Sequence, residues 1–235
     1  MLRRVDFIFL LPIAALLLPV AYAVPSAQQQ LSPSSNASSA QRIQKATPAA
    51  ASRDAGSIVN GIYRNPFFGF TCKIPPGWVL RTEELNAPDE ATTTHPAKPV
   101  ADPSHTARVL LAAFSRPPEA RGEDVNSSIL IATESVAAYP GLKDAAQYFG
   151  PVSEVAKAQG FEIDGEPYEF AVGAKTVVRA DFQKNVGTRV MRQSTLVVLV
   201  RGYAVSFTFI GGTEDEVEEL IGGLSFTAAP KPQSH

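Results

Sequence analysis

The sequence predicts an α+β fold, an α/β/α sandwich whose helices cover both faces of a central antiparallel sheet. Three observations carry this. Four successive strand patterns between residues 168 and 210 are joined by Gly-containing tight turns. Two amphipathic stripes of helical period follow the early and the late strands. Leu196-Val-Val-Leu-Val200 is apolar on both faces of a strand, the mark of a position covered from two sides.

The chain begins with a different kind of segment. Arg3 and Arg4 precede the uncharged apolar run Phe7 to Val20, and Ala21-Tyr22-Ala23 is a small-x-small cleavage site, so residues 1–23 read as a secretory signal peptide. An uncleaved anchor is the alternative, but the run is shorter than the ~20 residues of a spanning helix and Pro12 and Pro19 interrupt it. Residues 24–56 are Ser, Ala, Gln and Pro with few large apolar groups. Such a leader cannot offset the roughly 1–2 kcal/mol per residue of backbone entropy that ordering costs, and disorder is expected for it and for the tail 229–235. One domain, 57–228, remains.

Its first clear element is Phe70-Thr-Cys-Lys-Ile74, where Phe70, Cys72 and Ile74 alternate with Thr71 and Lys73. Pro76-Gly77 fits the central positions of a type II turn, the glycine taking the positive φ, and returns Trp78 toward the sheet. Residues 86–106 form a long Pro/Thr/Asp-rich loop. Arg108–Ser115 and Ser128–Thr133 are short apolar runs expected as inner strands. Leu142, Ala145, Ala146 and Phe149, then Val152, Val155 and Ala156, form a helical stripe that Gly150-Pro151 should kink or restart and Gly160 end. Strands are expected over 168–172, 175–184, 188–201 and 203–210. Thr213 and Glu216 then make a capping box that opens an acidic helix with Val217, Leu220, Ile221 and Leu224 on one face.

The segment Phe68-Gly-Phe-Thr-Cys-Lys-Ile-Pro-Pro-Gly-Trp78 resembles the opening of PsbP-like and Mog1-like domains. The closing order of a long hairpin, Tyr203-Ala-Val-Ser-Phe-Thr-Phe-Ile210, an acidic helix and Leu224-Ser-Phe226 resembles their end. The resemblance implies their α/β/α sandwich and a non-enzymatic binding or accessory role. The shared residues are structural, so it transfers no site residue and no cofactor. The leader behind a bacterial-type signal resembles the exported bacterial branch of these domains.

Composition narrows the function further. Across 235 residues, 21 Lys and Arg face 23 Asp and Glu, a net charge of -2, without the basic surface that nucleic acid or an anionic membrane requires. A single cysteine excludes an intrachain disulfide. Cys72 shares a strand face with Phe70 and Ile74 and is expected as a buried, unreactive thiol. The hydrolase, zinc-protease, phosphate-loop and dinucleotide fingerprints do not occur. His95 and His105, with Asp89, Glu90 and Asp102 in the same loop, are the one candidate metal cluster; His95, Asp102 and His105 could bind zinc with an open position, against the alternative of a solvated polar loop. Arg179, Arg189 and Arg192 flank the Asn185 turn and could meet an acidic partner. With Lys184 opposite Thr188, Arg189 would lie diagonally from Asp181 as a cross-strand pair. Tyr63, Phe67, Phe68, Phe70 and Trp78 are expected as a core cluster rather than a ligand box.

The expectation is therefore an exported, periplasmic or extracellular, non-enzymatic binding or accessory module of the cell envelope. Its partner would be a protein or envelope component, with no nucleic acid, no cofactor and no stable transmembrane span after signal cleavage. Two alternatives stand beside it: a small-ligand or metal-dependent enzyme using the His95/His105 loop, and a membrane-tethered structural envelope protein.

Overall fold

A computed structural model describes residues 55–87, 107–120, 122 and 124–227. The signal peptide, the leader up to residue 54, the tail, and the loop residues Asp89, Glu90, His95, Asp102 and His105 lie outside the described residues. In chain order the elements are β1 (Ser57–Val59), β2 (Ile62–Asn65), β3 (Phe70–Lys73), β4 (Val79–Leu80), α1 (Thr82–Leu85), β5 (Arg108–Phe114), β6 (Ser128–Ser135), α2 (Phe149–Ala158), β7 (Glu162–Val172), β8 (Lys175–Val186), β9 (Arg189–Val200), β10 (Tyr203–Gly211), α3 (Glu214–Gly222) and β11 (Leu224–Phe226).

The large sheet runs β4-β5-β6-β10-β9-β8-β7, antiparallel throughout. A smaller antiparallel sheet, β1-β2-β3-β11, lies on one of its faces together with α3. There Phe70, Cys72, Leu111, Ile131, Leu196, Phe207 and Phe209 pack with Val217 and Ile221 of α3. Phe70 meets Phe207 edge to face at 4.8 Å, a geometry that adds about 0.5–1.5 kcal/mol to area burial. α2 covers the opposite face. The α+β sandwich expected from the sequence is present, and the smaller sheet enlarges one of its outer layers. β1 and β2, three and four residues long, are too short to announce themselves by period.

Leu196 and Val197 are fully buried on opposite faces of β9, as a doubly covered strand requires. Gly77 has a φ of 83°, and Trp78 N–H closes the expected turn on Pro75 O. The aromatic cluster divides: Tyr63, Phe68 and Phe70 are buried, and Phe67 and Trp78 pack half-buried against them.

In the stripe from Leu142 to Ala156 the expected restart is present: a 3-10 turn, Ala146–Tyr148, with Ala145 as its N-cap residue, leads directly into α2 at Phe149, which puts Pro151 in the first α-helical turn, and Leu142 lies ahead of both. Three expectations are corrected. β7 begins at Glu162 rather than at residue 168, because Gly165-Glu166-Pro167 bulge out opposite Ala180 and pairing resumes at Tyr168. Lys184 pairs with Met191, not Thr188: the tight turn sits at Gly187-Thr188 and Val186 faces Arg189. The Arg189–Asp181 pair consequently does not form. Finally, Thr213 Oγ1 accepts from Glu216 N–H at 3.2 Å, but Glu216 returns its carboxylate to Gly212 N–H at 2.8 Å, one residue earlier than a standard capping box.

Candidate functional site

The face of the large sheet under α2 is incompletely covered. Tyr148, Phe149 and Ala156 of the α2 segment pack onto Ala180, Phe182, Met191 and Val197. Toward the other edge, Leu85 of α1 packs with Val109, Ala112, Phe114 and Leu130. Between these two clusters lies a groove of about 120 Å³.

Register explains its floor. Ala112, Leu130, Thr208 and Thr195 form one rung across β5, β6, β10 and β9, and Phe114, Ser128, Ile210 and Gln193 form the next. Ala132 and Ser206 pair on the third rung, and Glu134 faces Ala204 on the fourth. The hydroxyls of Thr195 and Thr208 bond each other at 3.1 Å, and Gln193 Nε2 donates to Thr195 Oγ1 at 3.2 Å. Val152, Val155 and Ala156 of α2 form the wall. The result is an apolar trough with a neutral, hydrogen-bonded stripe along its floor, the make-up of a binding cleft.

Among the described residues Glu134 is the only acidic or basic side chain in the lining, and it is 4% exposed. Tyr139 Oη donates to its Oε2 at 2.6 Å and Tyr148 Oη donates to the same oxygen at 2.9 Å. The two rings meet edge to face at 5.4 Å. Burial first, and then the adjacent Glu134, push both phenols well above their ordinary range, so they remain donors.

The arginines expected at a partner surface fall apart. Arg179 is 7% exposed: its Nε donates to Asp181 at 2.9 Å, an Nη2–H to Ser194 Oγ at 3.0 Å, and Nη2 lies 2.6 Å from Glu218 of α3. Burial alone would lower its pKa, but the Glu218 and Asp181 carboxylates outweigh burial and hold it raised. Arg189 is exposed and pairs with Asp124 at 2.9 Å, and Arg192 lies opposite Gln183. Cys72 is fully buried, as expected, and burial pushes its thiol up to about 12. Among the described residues no group of three His, Cys, Asp or Glu could hold a metal; the His95, Asp102 and His105 candidates lie outside them.

The sequence reading missed the groove. Ser206 and Thr208 alternate with Val205, Phe207 and Phe209, a pattern that ordinarily turns the polar positions to solvent. Glu134 was left beyond a strand expected to end at Thr133, whereas β6 continues to Ser135. A signal did exist: a carboxylate directly extending an apolar strand needs partners, and Tyr139 and Tyr148 follow closely.

No family model and no curated protein matches the chain. Among solved structures it is similar to LpqN of Mycobacterium tuberculosis, described as involved in cell envelope biogenesis, at 15% identity over 68% of this chain and 83% of that one, with a TM-score of 0.33. It is similar to the Ran-binding protein Mog1p of Saccharomyces cerevisiae at 14% identity over 67% and 90%, TM-score 0.37. Cyanobacterial PsbP (CyanoP) of Synechocystis matches at 15% identity over 77% and 97%, TM-score 0.39. Mog1- and PsbP-like proteins, the counterparts expected from the sequence, are thus among the similar structures; superposition scores this low say nothing of what this chain binds.

Proposed function

We propose that this chain is an exported, non-enzymatic accessory module that works by binding. The observation that carries the reading is the groove between α2 and the sheet, whose walls are apolar and in whose floor Gln193, Thr195 and Thr208 are hydrogen-bonded to one another. A general base beside a nucleophile is the minimum for covalent chemistry. Here the hydroxyls of Thr195 and Thr208 serve each other, and one carboxylate oxygen of Glu134 serves two phenols. Export is supported by the Arg3-Arg4, Phe7–Val20 and Ala21-Tyr22-Ala23 pattern, and no described helix is long and apolar enough to cross a membrane.

Isothermal titration of the purified protein with toluene, a neutral ring of about the groove's size, tests the binding reading. Single-site binding is expected, lost in Val152→Trp, which fills the groove, while the urea midpoint stays close to that of the parent. Folded protein that binds no toluene would defeat the reading. Mass spectrometry of the protein recovered from its host tests export separately, with Val24 expected as the first residue.

A further inference from the structure

Glu134, the one carboxylate among the described lining residues, is short of partners, as is the buried Thr133 Oγ1 beside it. A carboxylate offers about four acceptor sites, and both phenols use Oε2. Oε1 accepts no hydrogen bond among the described residues, Glu134 has no other partner, and Oε1 is not sealed from solvent. Among the described residues the lining contains no Lys or Arg. Buried charges are ordinarily paired, because desolvation without a counter-charge costs several kcal/mol. Lys184 Nζ is held by Gln159 O at 2.6 Å and lies over the Phe161 ring at 5.6 Å, and Arg179 sits on the opposite face of the sheet with Asp181 and Glu218.

We propose that the groove binds a small aromatic or short-chain primary ammonium, with its apolar body on Leu130, Ala132 and Val152 and its ammonium group on Glu134 Oε1. The inference rests on the binding reading above and adds the ligand class.

Size and charge both point this way. A volume of about 120 Å³ is close to the ~150 Å³ apolar cavity that accommodates benzene, so one ring or a short chain fills it. Glu134 and Ala132 project from the same face of β6 two residues apart, roughly 6.6 Å along a strand. A ring centre roughly 4 Å from an amine one carbon removed, plus a hydrogen bond of about 2.8 Å from that amine to the carboxylate, spans about this distance. A charge-assisted bond to a carboxylate is roughly twice as strong as a neutral one, and the Tyr148 ring, whose hydroxyl is on Glu134, favours a cation nearby. An anion would meet Glu134 with like charge.

Isothermal titration of the purified protein with benzylammonium, benzyl alcohol and benzoate separates these terms, since the three share a ring and differ in charge. Benzylammonium is expected to bind at least tenfold tighter than benzyl alcohol, and benzoate to give no heat. Glu134→Gln keeps an oxygen for the phenols and should bring benzylammonium down to the level of the alcohol while leaving the alcohol unchanged. Tyr139→Phe, which spares the carboxylate, should retain the preference. Equal affinities for the ammonium and the alcohol overturn the ligand class but leave the binding reading standing. Failure of all three ligands together with failure of toluene binding removes both. Should Glu134→Gln not fold, the order of the three ligands on the parent protein decides.

Discussion

Arg179 of β8 and Glu218 of α3 meet at 2.6 Å, and this contact joins the last helix to the large sheet. The guanidinium is almost fully buried, with Phe170 beneath it at 4.9 Å and Asp181 on its other side, whereas the Glu218 side chain is 44% exposed.

Unequal costs follow for the two partners. Arg179→Leu strands Asp181 and removes the layer over Phe170, and should destabilise the protein by about 2–3 kcal/mol, somewhat below the ~3–5 kcal/mol of fully buried pairs because both carboxylates keep some solvent. Glu218→Gln should cost under about 1 kcal/mol, since its charge is screened. Urea unfolding of both variants checks this; equal losses would mean that the contact, rather than burial of the arginine, sets the cost.

Cys72 makes stability sensitive to alkali. Its thiol is held at about 12 in the folded chain against 9.0 for a free thiol. The unfolded chain therefore loses this proton first, so the contribution is complete below pH 9 and declines as pH rises toward 12, by about 1.4 kcal/mol per unit. Between pH 9 and 10, before the phenols of an unfolded chain ionise, Cys72→Ala should flatten the decline, measured as urea midpoints across that window. Labelling of native protein by a thiol reagent should occur only at the rate of unfolding.

Two glycines at helix ends should respond with opposite signs. Gly160 has a φ of 80° and ends α2, its N–H on Lys157 O at 2.9 Å and the next N–H, of Phe161, on Ala156 O at 3.0 Å. Gly160→Ala should cost about 1 kcal/mol through backbone strain alone, for the added Cβ meets nothing nearer than Lys184 Cε at 3.7 Å. Gly222 is the last residue of α3 and a Cβ there meets nothing within 4 Å, so Gly222→Ala should add about 0.4–1 kcal/mol. Thermal unfolding midpoints that shift in opposite directions are the expected result.

Glu216 holds three parts of the chain together. Its carboxylate accepts from Gly212 N–H at 2.8 Å and from Ser127 Oγ, and its own N–H is capped by Thr213. Glu216→Ala should cost about 1–2 kcal/mol and Thr213→Ala about 1 kcal/mol. Hydrogen exchange in the first turn of α3 should quicken in both, with the segment around Ser127 affected only by Glu216→Ala.

Local periodicity made much of the fold legible. Alternation at Phe70, Cys72 and Ile74, the apolar run 196–200 and the Thr213 cap each depend on residues a few positions apart, which interact wherever the element is placed. Register was less legible. Around Asn185-Val-Gly-Thr188 the residues allow turns at neighbouring positions, and only the packing of Phe182 and Met191 under α2 selects the one with Val186 facing Arg189.

The sequence by itself determined most of the longer elements and their order, the doubly covered strand and the burial of Cys72, because side-chain period and turn chemistry are properties of short segments. Tertiary structure alone decided that Arg179 is interior, since its counter-charge Glu218 arrives from a later helix, and that Ser206 and Thr208 floor a groove instead of facing water. Both outcomes turn on what covers a sheet face, and a strand's own residues do not encode where the covering helix stops.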